Sequence, residues 1–159
     1  MYLVDGNNVM AQRVGWHKNK PLARRGLMDE LADFAQARQV SVTAVFDGAP
    51  DEHFADGARY RGITVHYARP GSNADERIKE LVEQSRERRK IRVVTSDRAL
   101  SDYVRRCGAQ VVRSGEFRRL LEDAPANNSP ARKNDPPALS RQELLREMRY
   151  FGFAPEDDE

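Results

Sequence analysis

Residues 2–8 read Tyr2-Leu3-Val4-Asp5-Gly6-Asn7-Asn8. Three apolar side chains stop at an acid, and a glycine and two asparagines follow. The run is too short for a helix and ends on turn formers, so it reads as a buried strand entering a tight turn. The design recurs where Val42–Phe46 stops at Asp47-Gly48 and where Ile91–Thr95 stops at Ser96-Asp97. Two more strands are expected at Ile63–Tyr67 and Ala109–Arg113. Helical spacing separates them: Leu27, Leu31, Phe34 and Ala35 within Ala23–Gln39, then Ile78, Leu81 and Val82 after Ala74, then Leu100, Tyr103 and Val104. Ser114 is expected to cap a helix carrying Phe117, Leu120 and Leu121. Residues 50–61 read as an irregular helix or loop. Strands alternating with helices imply an α/β fold, a parallel sheet of about five strands covered on both faces, with the strand carboxyl ends along one edge.

The 159 residues suit one domain. One compact α/β domain is expected over 1–123. Residues 124–138, rich in Pro and Asn, read as a linker or long loop. Ser140-Arg141-Gln142-Glu143 is a capping-box pattern that opens a last helix over 139–152, and the acidic end, 153–159, is expected to be disordered. Net charge is +2, but the four terminal acids leave the preceding residues more basic. That asymmetry points weakly to a polyanionic partner. A single cysteine, Cys107, excludes an internal disulfide and fits a reducing, cytoplasmic setting. His17, His53 and His66 are scattered, so no zinc cluster is expected. No apolar run approaches the length of a membrane span.

The acids at the strand ends carry the chemistry. With strand one central, Asp5, Asp47 and Asp97 would sit about one strand spacing apart, roughly 5 Å. Asp75, at the start of the helix after the third strand, can reach the same crevice, which is where open α/β sheets bind ligands. Carboxylates that close repel by roughly 3 kcal/mol per pair at an effective dielectric near 20. A cation among them relieves this, and oxygen ligands with room for water suit Mg²⁺ or Mn²⁺. Such an ion can hold a phosphodiester and activate a water. Each aspartate taken alone also fits a turn or helix cap. Asn8 could orient Asp5 or a metal-bound water, and Ser96 could bond a carboxylate or phosphate. From Met10 to Met28 there is no acid, while Arg13, Lys18, Lys20, Arg24 and Arg25 surround Trp16. A basic loop with an aromatic suits a single-stranded backbone and a stacked base. Arg69, on the same edge, could touch a phosphate. Residues 86–92, also basic, fall at the opposite edge and complement a helix C-terminus.

Other chemistries fit poorly. There is no phosphate-binding glycine loop and no nucleophile elbow. A haloacid-type phosphatase would want an acid where Asn7 stands.

The stretches Leu3-Val4-Asp5-Gly6-Asn7-Asn8-Val9, Val45-Phe46-Asp47, Ser72-Asn73-Ala74-Asp75-Glu76-Arg77-Ile78 and Val93-Val94-Thr95-Ser96-Asp97-Arg98 together resemble the NYN-domain ribonucleases of the YacP type, within the PIN-like nuclease group. The likeness covers residues 1–122. It implies a PIN-like sheet of order 3-2-1-4-5 and Mg²⁺- or Mn²⁺-dependent endonuclease action on RNA. Carried over by position, Asp5, Asp47, Asp75 and Asp97 match the acidic set, which would hold the metal, and Asn8 the polar residue after the first acid. Some members are thought to act on messenger RNA at the ribosome, which makes the ribosome a candidate partner. A non-catalytic RNA- or ribosome-binding module, or a DNA nuclease or phosphatase with the same acidic edge, are the alternatives.

Overall fold

Every strand predicted from apolar runs forms, and the helices that begin at Lys20, Ala74 and Arg98 each start on a side-chain cap, from Asn19, Asn73 and Asp97. The computed structural model describes residues 1–124; all but the first residue of the linker expected over 124–138, and the whole of the last helix and acidic tail expected from sequence, lie outside the described residues. Strand β1 (Tyr2–Asp5) runs into a short helix α1 (Gly6–Met10), and a 3-10 turn (Trp16–Lys18) precedes α2 (Lys20–Arg38). Strand β2 (Val42–Phe46), a hairpin of β3 (Ala58–Tyr60) and β4 (Ile63–Tyr67), and helix α3 (Ala74–Gln84) follow. Strand β5 (Arg92–Val94), α4 (Arg98–Arg106), β6 (Gln110–Val112) and α5 (Ser114–Asp123) complete the described chain.

The sheet has six strands in the order β3-β4-β2-β1-β5-β6, all parallel except β3. The five strands expected from sequence therefore appear in the expected 3-2-1-4-5 order. Two readings need correction. Residues 58–60, expected as loop or irregular helix, form an edge strand antiparallel to β4. Arg61 (φ 47°) and Gly62 (φ 93°) form the two-residue connection, the left-handed pair that a tight hairpin requires. Arg61 accepts that conformation while its guanidinium reaches Asp33 at 2.8 Å and Asp29 at 3.4 Å on α2. The other correction is at residues 6–8, which continue as α1 instead of a tight turn.

Side chains alternate across β1. Tyr2 and Val4 join a core cluster with α2 and α5 through Leu31, Phe34, Phe117 and Leu121. Leu3 points to the opposite cluster, with Ile78, Val82, Leu100 and Val104 of α3 and α4. Both faces of β1 are thus closed, so the only way out for its last residue, Asp5, is the carboxyl edge. No described helix is long and apolar enough to cross a membrane.

Gly6 sets how tightly β1 turns into α1. A Cβ there would lie 2.5 Å from Cδ1 of Phe46 and 3.0 Å from the Val45 carbonyl. Phe46 is wholly buried and cannot swing away. Gly6→Ala is expected to destabilise the fold by about 2–4 kcal/mol, as overpacking against a rigid ring does, read as a lowered midpoint in urea unfolding.

Candidate active site

Asp5 ends the central strand with only 5% of its surface exposed. Thr95 Oγ1, itself wholly buried, donates to Asp5 Oδ2 at 3.0 Å, and the Asn8 N–H bonds the same carboxylate. These donors favour the ionised form but lose to their surroundings. Burial first, then the charge of Asp75, raise the Asp5 pKa from 3.8 to about 7, with Asp47 adding to the effect. Asp75 is raised too, by burial and then by Asp97 and Asp47, and it comes within hydrogen-bonding reach of Asp97. Four acids from four distant stretches therefore act on one another across the carboxyl edge. Asp75, expected to help from above, is their hub.

Each of the other two acids is pinned by one oxygen. Asp47 Oδ1 accepts the Ala74 N–H at 2.6 Å, which ties the end of β2 to the start of α3. Asp97 caps α4, its Oδ1 accepting from the Leu100 N–H at 2.9 Å, while its own N–H donates to Thr95 Oγ1 at 3.1 Å. Capping and site roles, alternatives when read from sequence, coexist in one side chain. Thr95 joins Asp5 to Asp97, and sequence reasoning gave it no role. Its signal was a hydroxyl two residues before the acid, directly after the buried pair Val93-Val94.

The two asparagines after Asp5 reach in opposite directions. Asn7 Oδ1 accepts the Asp47 N–H at 2.9 Å. Asn8 Oδ1 accepts the Ser96 N–H at 2.9 Å and also the Ser114 hydroxyl. Ser96 Oγ in turn accepts the Ser114 N–H at 3.1 Å. The side-chain carbonyl of Asn8 is thus spent on joining loops, and only its backbone N–H serves Asp5. Ser114, expected as a helix cap, is wholly buried within α5, and the cap position falls to Arg113 with no side-chain bond. Ser96 joins loops in the same way.

The basic segment turns largely inward. Arg13 pairs with buried Glu30 at 2.8 Å, and buried Arg118 holds both oxygens of Glu30 at 2.9 Å. Trp16 packs on the core, with Lys20 Nζ 5.6 Å from its ring centre. Arg24 donates to the carbonyls of Asp47 and Ala49 and lies over the rings of Phe46 and Tyr67. Arg25 lies over Phe54 at 5.0 Å. Arg69 grips Glu80 through both oxygens at 3.1 Å. Lys18 and Lys20 are exposed beside this loop.

A carboxylate-only donor set suits a hard cation, with no sulfur or imidazole to favour a softer one. Among the described residues no three acids, cysteines or histidines close tightly enough to hold one ion by themselves. An ion that keeps most of its water, as Mg²⁺ does, needs only one or two carboxylates, which this set could offer.

An α/β sheet with interacting acids on its carboxyl edge is the arrangement expected of a nuclease-type NYN domain. The chain belongs to the YacP-like NYN domain family, whose model matches residues 2–150. It is similar to the crystal structure of a point mutant of Rae1 (YacP) from Bacillus subtilis, with 25% identity, a TM-score of 0.63, and coverage of 76% of this chain and 74% of that one. A second Rae1 (YacP) structure from the same organism shares the fold at 24% identity and a TM-score of 0.60, covering 77% of this chain and 73% of that one. No curated protein matches the chain. Family membership gives it a nuclease-type, RNA-related function.

Two outcomes are expected. Asp5 binds its proton more tightly when folded, so its contribution to stability is full below pH 4 and is lost as pH rises through 7. In metal-free buffer at pH 8, Asp5→Asn should therefore be more stable than the parent by on the order of 2–4 kcal/mol, read as a higher unfolding temperature, and the gain should shrink toward pH 4. Arg24→Ala should lower stability by about 1–2 kcal/mol through the lost carbonyl bonds, while the salt dependence of RNA binding stays as in the parent.

Proposed function

We propose that this chain is a divalent-metal-dependent endoribonuclease. The observation that carries the reading is the gathering of Asp5, Asp47, Asp75 and Asp97 on one edge, where burial first and then the charge of Asp75 push the Asp5 pKa up to about 7. A group so poorly satisfied by its own protein is arranged for something positively charged. Asp5 and Asp75 would hold the ion directly, with Asp47 and Asp97 bonding its waters. When bound, Mg²⁺ or Mn²⁺ supplies charge neutralisation for a phosphodiester and an acidified water.

The chain's own contribution is positional. Thr95 and the Asn8 N–H fix the Asp5 carboxylate from behind. The Ala74 and Leu100 N–H groups each occupy Oδ1 of an acid, so Oδ2 of Asp47 and of Asp97 can take a water or its proton. Attack of that water at phosphorus forms a P–O bond and breaks the bond to the 3′ oxygen, which leaves as a hydroxyl on taking a proton. The products carry a 5′-phosphate and a 3′-hydroxyl. RNA is the partner in this reading, with messenger RNA at the ribosome the setting that the family likeness suggests. The competing reading is a non-catalytic RNA-binding module, and it draws support from the spacing of the acids, which does not close on one point.

Single-stranded RNA incubated with the protein and Mn²⁺ or Mg²⁺ should be cut internally, and chelation should stop it. Asp75→Asn should lower kcat at least about 100-fold with KM little changed. Salt-sensitive binding with no cleavage under either ion would sink the enzyme reading in favour of the module.

A further inference from the structure

The acids occupy only part of the carboxyl edge. Past Ser96 an open groove of about 760 Å³ lies between the end of α1 and the first turns of α5, lined by Gln12, Ser96, Arg113, Gly115, Glu116 and Arg119 among others. That volume lies within the range of ligand sites. The groove meets the acids through one residue, because Ser96 immediately precedes Asp97. The bonds that fix Ser96 to Asn8 and to the Ser114 N–H therefore fix the groove relative to the acids.

Its lining is of mixed sign. Arg113 and Arg119 are exposed, and no ion pair holds either of them among the described residues. Arg118, beneath them, is buried and neutralised by Glu30, and its Nε has no partner. Glu116 and Glu122 also face the groove. A dense polyanion such as a triphosphate would meet those carboxylates. One nucleotide within a strand brings a single phosphate for an arginine and a base whose amine can donate to a glutamate. Gly115 keeps the floor low without a backbone need for glycine: its φ lies outside the left-handed region, and a Cβ would sit 3.6 Å from Gln12 Oε1. A longer side chain there would rise into the groove.

We infer that this groove is the subsite for the nucleotide flanking the scissile phosphodiester, with Arg113 or Arg119 taking the adjacent phosphate and Glu116 facing the base edge. The assignment of the flanking position rests on the nuclease reading; occupancy of the groove by RNA does not. Binding of a single-stranded RNA tetranucleotide, in chelator, should shift the amide resonances of Gly115 and Glu116 in the full chain. Gly115→Leu, and separately Arg113→Glu, should weaken that binding about tenfold with the melting temperature kept, while Arg89→Glu at the opposite edge should leave it within about twofold. In cleavage assays, trimming an oligonucleotide from one side of the cut should lower kcat/KM in the parent and make no further difference in Gly115→Leu. Shifts that avoid Gly115 and Glu116, or equal weakening by Arg89→Glu, would overturn the groove. If the tetranucleotide binds there but no RNA is cut, the nuclease reading fails and the RNA groove stands. If RNA is cut with unaltered length dependence in Gly115→Leu, the groove fails and the nuclease reading stands.

Discussion

A carboxylate at the end of the most enclosed strand is the constraint from which the rest follows. Burial penalises the charge of Asp5, and Asp75 opposes it across the crevice. A protein gains nothing in stability from such an arrangement, since replacing it with neutral groups would relieve the repulsion. It persists because the surrounding backbone is over-determined. Phe46 presses on Gly6, Asn7 and Asn8 clamp the loops on either side, and Thr95 bridges Asp5 to the backbone of Asp97. Removing strain at Asp5 would require moving β1, β2 and β5 together.

The charges of the molecule are sorted along the strands. Acids gather at the carboxyl edge. Arg86, Arg88, Arg89, Lys90 and Arg92 lie at the other edge, where helices α3 and α4 present their C-termini. Arg88 donates to the Glu83 carbonyl at 2.6 Å, a direct case of a cation completing a helix end. Among the described residues no lysine or arginine acts on Asp5, while Lys79 partly offsets the charge of Asp75.

The segment from Arg13 to Arg25 shows how a basic composition can mislead about direction. Glu30 gathers Arg13 and Arg118, and the three link the loop before α2 to α5. Buried ion pairs of this kind contribute little net stability but leave few alternative packings, because a partner removed leaves an uncompensated charge. Arg24 likewise holds the backbone on which Asp47 sits, which makes it a support of the site. The arginines with freer guanidiniums, Arg113 and Arg119, come from a part of the chain that composition did not single out.

The sequence alone determined the parallel core. Apolar runs of strand length stopping at Asp5, Asp47 and Asp97 announced both the strands and the acidic edge, because a strand closed on both faces must be apolar throughout and can carry charge only at its end. The cap at Asp97 was legible for a similar reason: its bond spans three residues. Only the tertiary structure decided what depends on contacts between remote segments. It made Asp75 the hub of the acids, gave Asn7, Asn8 and Ser114 their partners, turned Arg24 inward and added β3 at the sheet edge. Those outcomes follow from distances between side chains far apart in the chain, and no periodicity or spacing along the sequence encodes such distances.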